Sequence, residues 1–211
     1  MESTALTQHQ TRIVIGYLVV LIFCMVGAQL APQLDFISAW QDPDAKITVS
    51  ILQLISDSIS YFSFGIPLII TIVREFKADT NKKINRLSLL YILLSIGVAG
   101  LVSYIMKKTF TEPRPYEVDP RIIQLSVGGG YSLPSGHTTE AFASVMALTL
   151  LMRNWKLSVA LFCWATSVAL SRIYLGVHYP FDIFVGMFIG SSVSFLFYRF
   201  IFQKYLVVNH S

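Results

Sequence analysis

The sequence predicts an all-α, polytopic membrane protein, a six-transmembrane-helix bundle with both termini cytoplasmic. Three observations carry that prediction. Of the 211 residues, 54% are hydrophobic and only 13% are charged, against about 25% charged in an ordinary soluble domain. The apolar residues gather into runs near the length of about 20 residues that a spanning helix needs. The few charges fall between those runs with a bias in sign. Six spans consume about 120 residues, so residues 1–211 are expected to form a single membrane-embedded domain.

The first span is expected at about 12–31, because 22 uncharged residues separate Arg12 from Asp35, and Pro32 then helps to end the helix. A cleavable signal peptide is the competing reading of this segment, but it would want a basic start and a shorter apolar run. Residues 35–57 mix Asp35, Asp42, Asp44 and Lys46 with apolar positions and read as an exterior loop with an interfacial approach. A second span follows at about 55–74, with a kink at Pro67. Leu87–Met106 is twenty uncharged residues rich in Leu and Ile, the third span. The fourth, Ala141–Met152, is only twelve residues unless its first turn extends back to His137 through a polar mouth. Leu157–Ser171 and Ile183–Tyr198 supply the fifth and sixth, the latter starting at Pro180, a good first-turn residue, and fraying beyond Phe202. Cys24 and Cys163 lie within apolar runs and read as small buried hydrophobes, not as a disulfide.

With the N-terminus inside, the inner segments hold ten Lys and Arg against Glu2, Glu75 and Asp79, while the outer segments hold six basic residues against nine acidic ones. The positive-inside rule favours this orientation. A net charge of +4 spent largely on topology gives no basic surface for nucleic acid. The outer basic residues run against the trend, and they come with unusual company.

Lys107 leaves the third span and is followed seven residues later by Arg114, set between Pro113 and Pro115. A compact ammonium and a planar donor fork together suit a phosphoryl group. Snorkelling to lipid headgroups is the plainer reading of either residue alone. A second segment, Gly128-Gly129-Gly130 through Pro134-Ser135-Gly136-His137 to Glu140, opens the fourth span. Glycines and a helix start present amides to an anion, although a capped helix with Glu140 in its first turn would look the same. The third segment holds Ser171-Arg172, His178 and Asp182. Ionisable groups at span ends read as functional, with an Arg172–Asp182 ion pair as the structural alternative. His178 and Asp182, four apart, let a carboxylate hold one ring nitrogen while the other faces a reacting group.

These three segments resemble the signature motifs of the type 2 phosphatidic acid phosphatase (PAP2) superfamily. The first motif corresponds to Lys107 and Arg114-Pro115, the second to Pro134-Ser135-Gly136-His137, and the third to Ser171-Arg172, His178 and Asp182, in order across 76 residues. The resemblance implies a bacterial membrane lipid phosphatase in which His178 attacks phosphorus to form a phosphohistidine. Asp182 would fix the tautomer of His178, and His137 would protonate the leaving oxygen and then activate water. Lys107, Arg114, Ser135, the Gly136 amide and Arg172 would hold the phosphoryl oxygens, with no metal and no cofactor. It places the protein in the bacterial cytoplasmic membrane with the site facing the periplasm or exterior. A lipid phosphate or diphosphate is the implied partner, undecaprenyl diphosphate first, with phosphatidylglycerophosphate, phosphatidic acid and lipid A 1-phosphate as alternatives. A transporter that binds phosphate headgroups without chemistry would explain the cations but leave both histidines and Asp182 unused.

Overall fold

The computed structural model describes residues 6–78, 81–152 and 154–207, with side chains to Tyr205. Glu2, Asp79 and Arg153, three of the charges used for orientation, lie outside the described residues. The chain is all-α, with helices α1 (Gln8–Leu30), α2 (Gln33–Trp40), α3 (Lys46–Asp57), α4 (Ile66–Glu75), α5 (Lys82–Phe110), α6 (Pro115–Val118), α7 (Gly136–Met152), α8 (Trp155–Tyr174), α9 (Pro180–Phe197) and α10 (Gln203–Val207). Among the described residues, five helical segments are long and apolar enough to cross a membrane: Gln8–Leu30, Lys46–Glu75, Lys82–Val118, Trp155–Tyr174 and Pro180–Tyr205. The segment expected as the fourth span forms helix α7, which at 17 residues is the shortest of the long helices and is not one of those five.

The largest departure from the expected elements lies in residues 33–57. No long exterior loop forms there. Gln33–Trp40 is a helix, and α3 begins at Lys46, nine residues before the expected start of the second span. Asp57 therefore sits within a helical run and not in a loop. The apolarity of α3 is diluted by Gln53, Ser56 and Asp57, and two of these turn inward: Gln53 donates to the Leu125 carbonyl at 2.6 Å and Ser56 is fully buried. Between α3 and α4 the helix widens into a π turn at Tyr61–Gly65, just ahead of Pro67. Proline has no amide to give the helical ladder, and a π turn is a usual place for that irregularity. Beyond α9 a second π turn, Tyr198–Phe202, continues into α10, so the chain stays helical where fraying was expected. Both cysteines are free, but Cys163 is exposed, contrary to the expectation of burial, because it faces outward from α8.

Helix α7 is the centre of the bundle, packed against α5, α8 and α9. It can be surrounded because it is built from small residues. Thr138, Thr139, Ala141, Ala143 and Ala147 are all fully buried. On the facing side of α9, Gly186 and Gly190 are four residues apart, so backbone meets backbone. A Cβ on Gly190 would lie 2.3 Å from the Thr139 carbonyl oxygen and 2.7 Å from the Ala143 nitrogen. In lipid there is little hydrophobic force between helices, and such close approach is what drives them together. Polar side chains reinforce the contact: Ser194 Oγ donates to the Ala143 carbonyl at 2.8 Å, and Tyr91 Oη donates to the Ser194 carbonyl at 2.8 Å. Away from this centre, α1 is apolar all round and largely uncovered by protein, as an outer helix facing lipid should be.

The packing brings to one end of the bundle the C-terminal ends of α5 and α8, the N-terminal ends of α7 and α9, and the loops on either side of α6. All three sequence segments singled out above meet there.

Candidate active site

Each cation of the site is aimed by its local backbone. Helix α5 ends at Thr111, whose φ of 47° turns the chain out of the helix. In its last turn, where the helix dipole favours positive charge, Lys107 reaches across to the glycine loop and donates to the carbonyls of Tyr131 (2.6 Å) and Ser132 (3.0 Å). Lys108, one residue on, is exposed. Arg114 is held at the start of α6, where its amide donates to Glu117 Oε2 at 2.7 Å. Its guanidinium is buried, with Nε on the Gly130 carbonyl (2.9 Å), Nη2 on that of Gly129 (3.0 Å) and Nη1 on that of Val177 (2.7 Å). The loop wraps this side chain so closely that a Cβ on Gly128 would come within 2.8 Å of the guanidinium carbon.

Arg172 emerges from the last turn of α8 and is equally buried. It makes no ion pair with Asp182. Instead Nη1 donates to the hydroxyls of Ser56 (2.5 Å) and Ser126 (3.1 Å), and Nη2 donates to the Val127 carbonyl (3.1 Å). Its Nε is buried without a protein acceptor. The loop that supplies Ser126 and Val127 is pinned from below by Gln53 and from the side by Gln41. Gln41 accepts from the Ile123 amide and donates to the Ile123 carbonyl, both at 2.8 Å.

His178 lies in the turn between α8 and α9. Its Nδ1 is 3.2 Å from Asp182 Oδ2, and its Nε2 is 3.5 Å from Arg114 Nη1. Asp182, in the first turn of α9, also accepts from the Tyr179 amide at 3.0 Å, so one carboxylate oxygen caps its helix and orients the imidazole. Burial, reinforced by the charges of Arg114, Lys107 and Arg172, holds the His178 imidazole well below its ordinary range. A neutral ring with its proton on Nδ1 would donate to Asp182 Oδ2 and turn the Nε2 lone pair toward Arg114.

Ser135 is fully buried at the start of α7, where its Oγ accepts from Thr138 Oγ1 at 2.9 Å. Its amide donates to the Asp182 carbonyl at 3.2 Å, which ties α7 to α9 at the site. Gly136 opens α7, and half-buried His137 follows it, within electrostatic reach of His178, Arg172, Arg114 and Lys107. Glu140 falls just past the first helical turn and not within it, because α7 begins only at Gly136. Among the described residues, no group of three or more His, Cys, Asp or Glu side chains is arranged to hold a metal ion.

All eight residues predicted for the site therefore meet at one end of the bundle. Sequence reasoning missed their supports: Ser56 and Ser126 on Arg172, Gln41 and Gln53 under the loop, and Ser132 beside His178. Polar residues in α3, a helix otherwise apolar enough to span, were the available signal.

Comparison with known proteins agrees with this geometry. Over 105 residues the chain is 34% identical to the undecaprenyl-diphosphatase BcrC of Bacillus subtilis, a match covering 49% of this chain and 53% of that protein. Over 71 residues it is 40% identical to the lipid A 4'-phosphatase of Bacteroides thetaiotaomicron, covering 34% and 32%. The chain thus spans about half or less of the length of these curated relatives. The solved structure of a PAP2-type phosphatidylglycerolphosphate phosphatase from Bacillus subtilis superposes with a TM-score of 0.63 at 20% identity, over 87% of this chain and 92% of that one, which shows a shared fold. The sequence pattern of the PAP2 superfamily matches residues 88–206, the stretch holding every cation, histidine and carboxylate of the site, and this chain belongs to that superfamily.

Proposed function

We propose that this chain is an integral-membrane lipid phosphatase, working without a metal ion, that cleaves a terminal phosphomonoester from an amphiphile through a phosphohistidine at His178. The observation that carries the reading is the orientation of His178. Asp182 holds Nδ1, leaving Nε2 facing Arg114 with its lone pair available. In the first step Nε2 bonds to phosphorus as the bond to the lipid oxygen breaks, and His137 gives that oxygen a proton. Asp182 stabilises the imidazolium that forms. In the second step His137 takes a proton from water, whose oxygen attacks phosphorus and releases phosphate from His178. Lys107, Arg114 and Arg172, with the Ser135 hydroxyl and the Gly136 amide, hold the non-bridging oxygens and offset the charge that grows in the transition state.

Donor arithmetic supports a single phosphoryl group as the ligand. Lys107 has three N–H bonds and each arginine five. Backbone carbonyls and serines occupy most of them, leaving one on Lys107, two on Arg172 and the Arg114 N–H that faces His178 Nε2. With the Ser135 hydroxyl and the Gly136 amide these four make six donors, two for each of three non-bridging oxygens, and among the described residues Arg114 and Arg172 are the only buried cations, so no second buried set stands beside them for a further phosphate. A lipid monoester, of the phosphatidylglycerophosphate, phosphatidic acid or lipid A phosphate kind, therefore stands ahead of undecaprenyl diphosphate, reversing the order expected from sequence. The diphosphate remains the second reading, favoured by the likeness to BcrC.

In the proposed setting residues 1–211 form one domain of the bacterial cytoplasmic membrane. Helix α7 is its fourth span and brings the count to six; it is about 25 Å long by its residue count, and is short because it starts within the polar mouth. Both termini are inside and the site faces outward, the orientation that the charge bias favours. The test is phosphate release in detergent with excess EDTA from these four lipids, parent beside His178→Ala. Release from a monoester lipid by the parent alone is expected. No release from any lipid, equal activity in the variant, or a strict need for added metal overturns the reading.

A further inference from the structure

Ser132 is fully buried, and each of its polar atoms serves a different part of the site. Its amide donates to the Glu112 carbonyl at 2.8 Å, beside the segment that carries Arg114. Its carbonyl accepts from Lys107 Nζ at 3.0 Å. Its Oγ donates to Asp182 Oδ2 at 2.5 Å and lies 3.4 Å from His178 Nδ1. One residue thereby joins all three sequence segments, although nothing in their spacing marks it.

The side on which the hydroxyl lies decides what it can do. It sits at Nδ1, across the imidazole from the Nε2 that faces Arg114, so His178 Nε2 cannot act as its base and it is no nucleophile. A hydroxyl has a single proton to give, and a bond to an ionised carboxylate is the stronger use of it. Asp182 Oδ2 then has three donors around it: Ser132 Oγ, His178 Nδ1 and the Tyr179 amide. The amide and the hydroxyl fix the carboxylate from two directions, and the carboxylate in turn fixes the plane of the ring.

We propose that Ser132 is a positioning residue for His178, acting through Asp182: its hydroxyl locks the carboxylate in the orientation that aims Nε2 at phosphorus. The proposal rests on the phosphohistidine reading above. Removing the hydroxyl leaves the backbone links to Lys107 and Glu112 in place but frees the carboxylate to rotate. A misaimed nucleophile costs rate more than binding, because errors of about 1 Å cost about 10²-fold in turnover. Ser132→Ala is therefore expected to lower kcat about 10- to 100-fold while KM changes less than about twofold.

The experiment compares the parent with Ser132→Ala, Asp182→Asn and the double variant, in kinetics on the best lipid substrate and in ¹⁵N-imidazole NMR of the full-length protein in detergent. The chain has four histidines, and His178→Asn assigns the resonance of interest. The expected result is a loss in Ser132→Ala that largely vanishes in the Asp182→Asn background, as it must for residues acting as one unit. The His178 nitrogen shifts and titration midpoint should move with it, while the rest of the spectrum is retained. A kcat within twofold of the parent, an equal loss in both backgrounds, or unchanged His178 shifts would each overturn the proposal. If the parent hydrolyses no lipid yet Ser132→Ala moves the His178 resonances, the phosphatase reading fails while the coupling of Ser132 to His178 is supported.

Discussion

Replacing Gly190 with alanine adds one methyl group far from any catalytic atom, yet the packing of α7 on α9 makes it a severe test. The new Cβ would lie 2.3 Å from the Thr139 carbonyl oxygen and 2.7 Å from the Ala143 nitrogen, where ordinary contact begins at 3.4 Å. Both neighbours are backbone atoms of a helix packed on its other sides, so no side chain can swing away. The helices must part by about 1 Å at that point, and overpacking of this kind costs about 1–3 kcal/mol. For a chain of this size each kcal/mol lowers the unfolding midpoint by roughly 2–4 °C. The displacement also reaches the site. Gly190 is about 12 Å along α9 from Asp182, whose carbonyl accepts from the Ser135 amide at 3.2 Å and couples the two helix starts. Turnover should fall about 10²-fold. The assay is thermal unfolding in detergent together with phosphate release. Gly97→Ala serves as the control, because a Cβ there meets nothing within 4 Å. If Gly190→Ala melts with the parent and keeps its activity within twofold, the account of α7–α9 packing is wrong.

Three further outcomes follow from the same geometry. Arg114→Lys keeps the charge but loses the planar fork that spans the Gly129, Gly130 and Val177 carbonyls, so kcat should fall about 10²- to 10³-fold; a loss under threefold would show that charge alone suffices. The His178 imidazole is held well below its ordinary 6.5 by burial, so the unfolded chain takes up this proton first as pH falls. Stability from this residue is therefore complete above 6.5 and lost progressively below it, and unfolding midpoints of parent and His178→Asn should diverge below pH 6.5; parallel curves from pH 8 to 5 would contradict it. For topology, single cysteines at Lys77 and Val118, in a background with Cys24 and Cys163 replaced by serine, should label from opposite faces of the membrane, and labelling from one face would remove the proposed span count.

The catalytic candidates were legible in the sequence because charge in an apolar chain is conspicuous: Lys107, Arg114 and Arg172 stood out against the inward bias of the other basic residues. The start of α7 was legible too, since a short apolar run behind Pro134-Ser135-Gly136-His137 allows only a helix that begins at the site. What hid was long-range. Ser56 binds Arg172 from a helix 116 residues away in sequence; polar residues in α3 signal that something is held there, but nothing local names Arg172 as the partner. The charges ahead of it, Asp35, Asp42, Asp44 and Lys46, made the first nine residues of α3 read with the loop before them. Gly186 and Gly190 gave no local sign either, because a glycine in an apolar helix reveals its purpose only when the facing backbone is in view.

In the proposed mechanism phosphorus becomes bonded to His178. A rapid-mixing experiment with ³²P-labelled lipid monoester, quenched in alkali and analysed by peptide mass spectrometry, tests it most directly, since phosphohistidine survives alkali and is lost in acid. A transient, acid-labile phosphoryl group is expected on the peptide containing His178, formed in EDTA by the parent and absent from His178→Ala. Steady release of phosphate with no such adduct, or with the label on another residue, would contradict it.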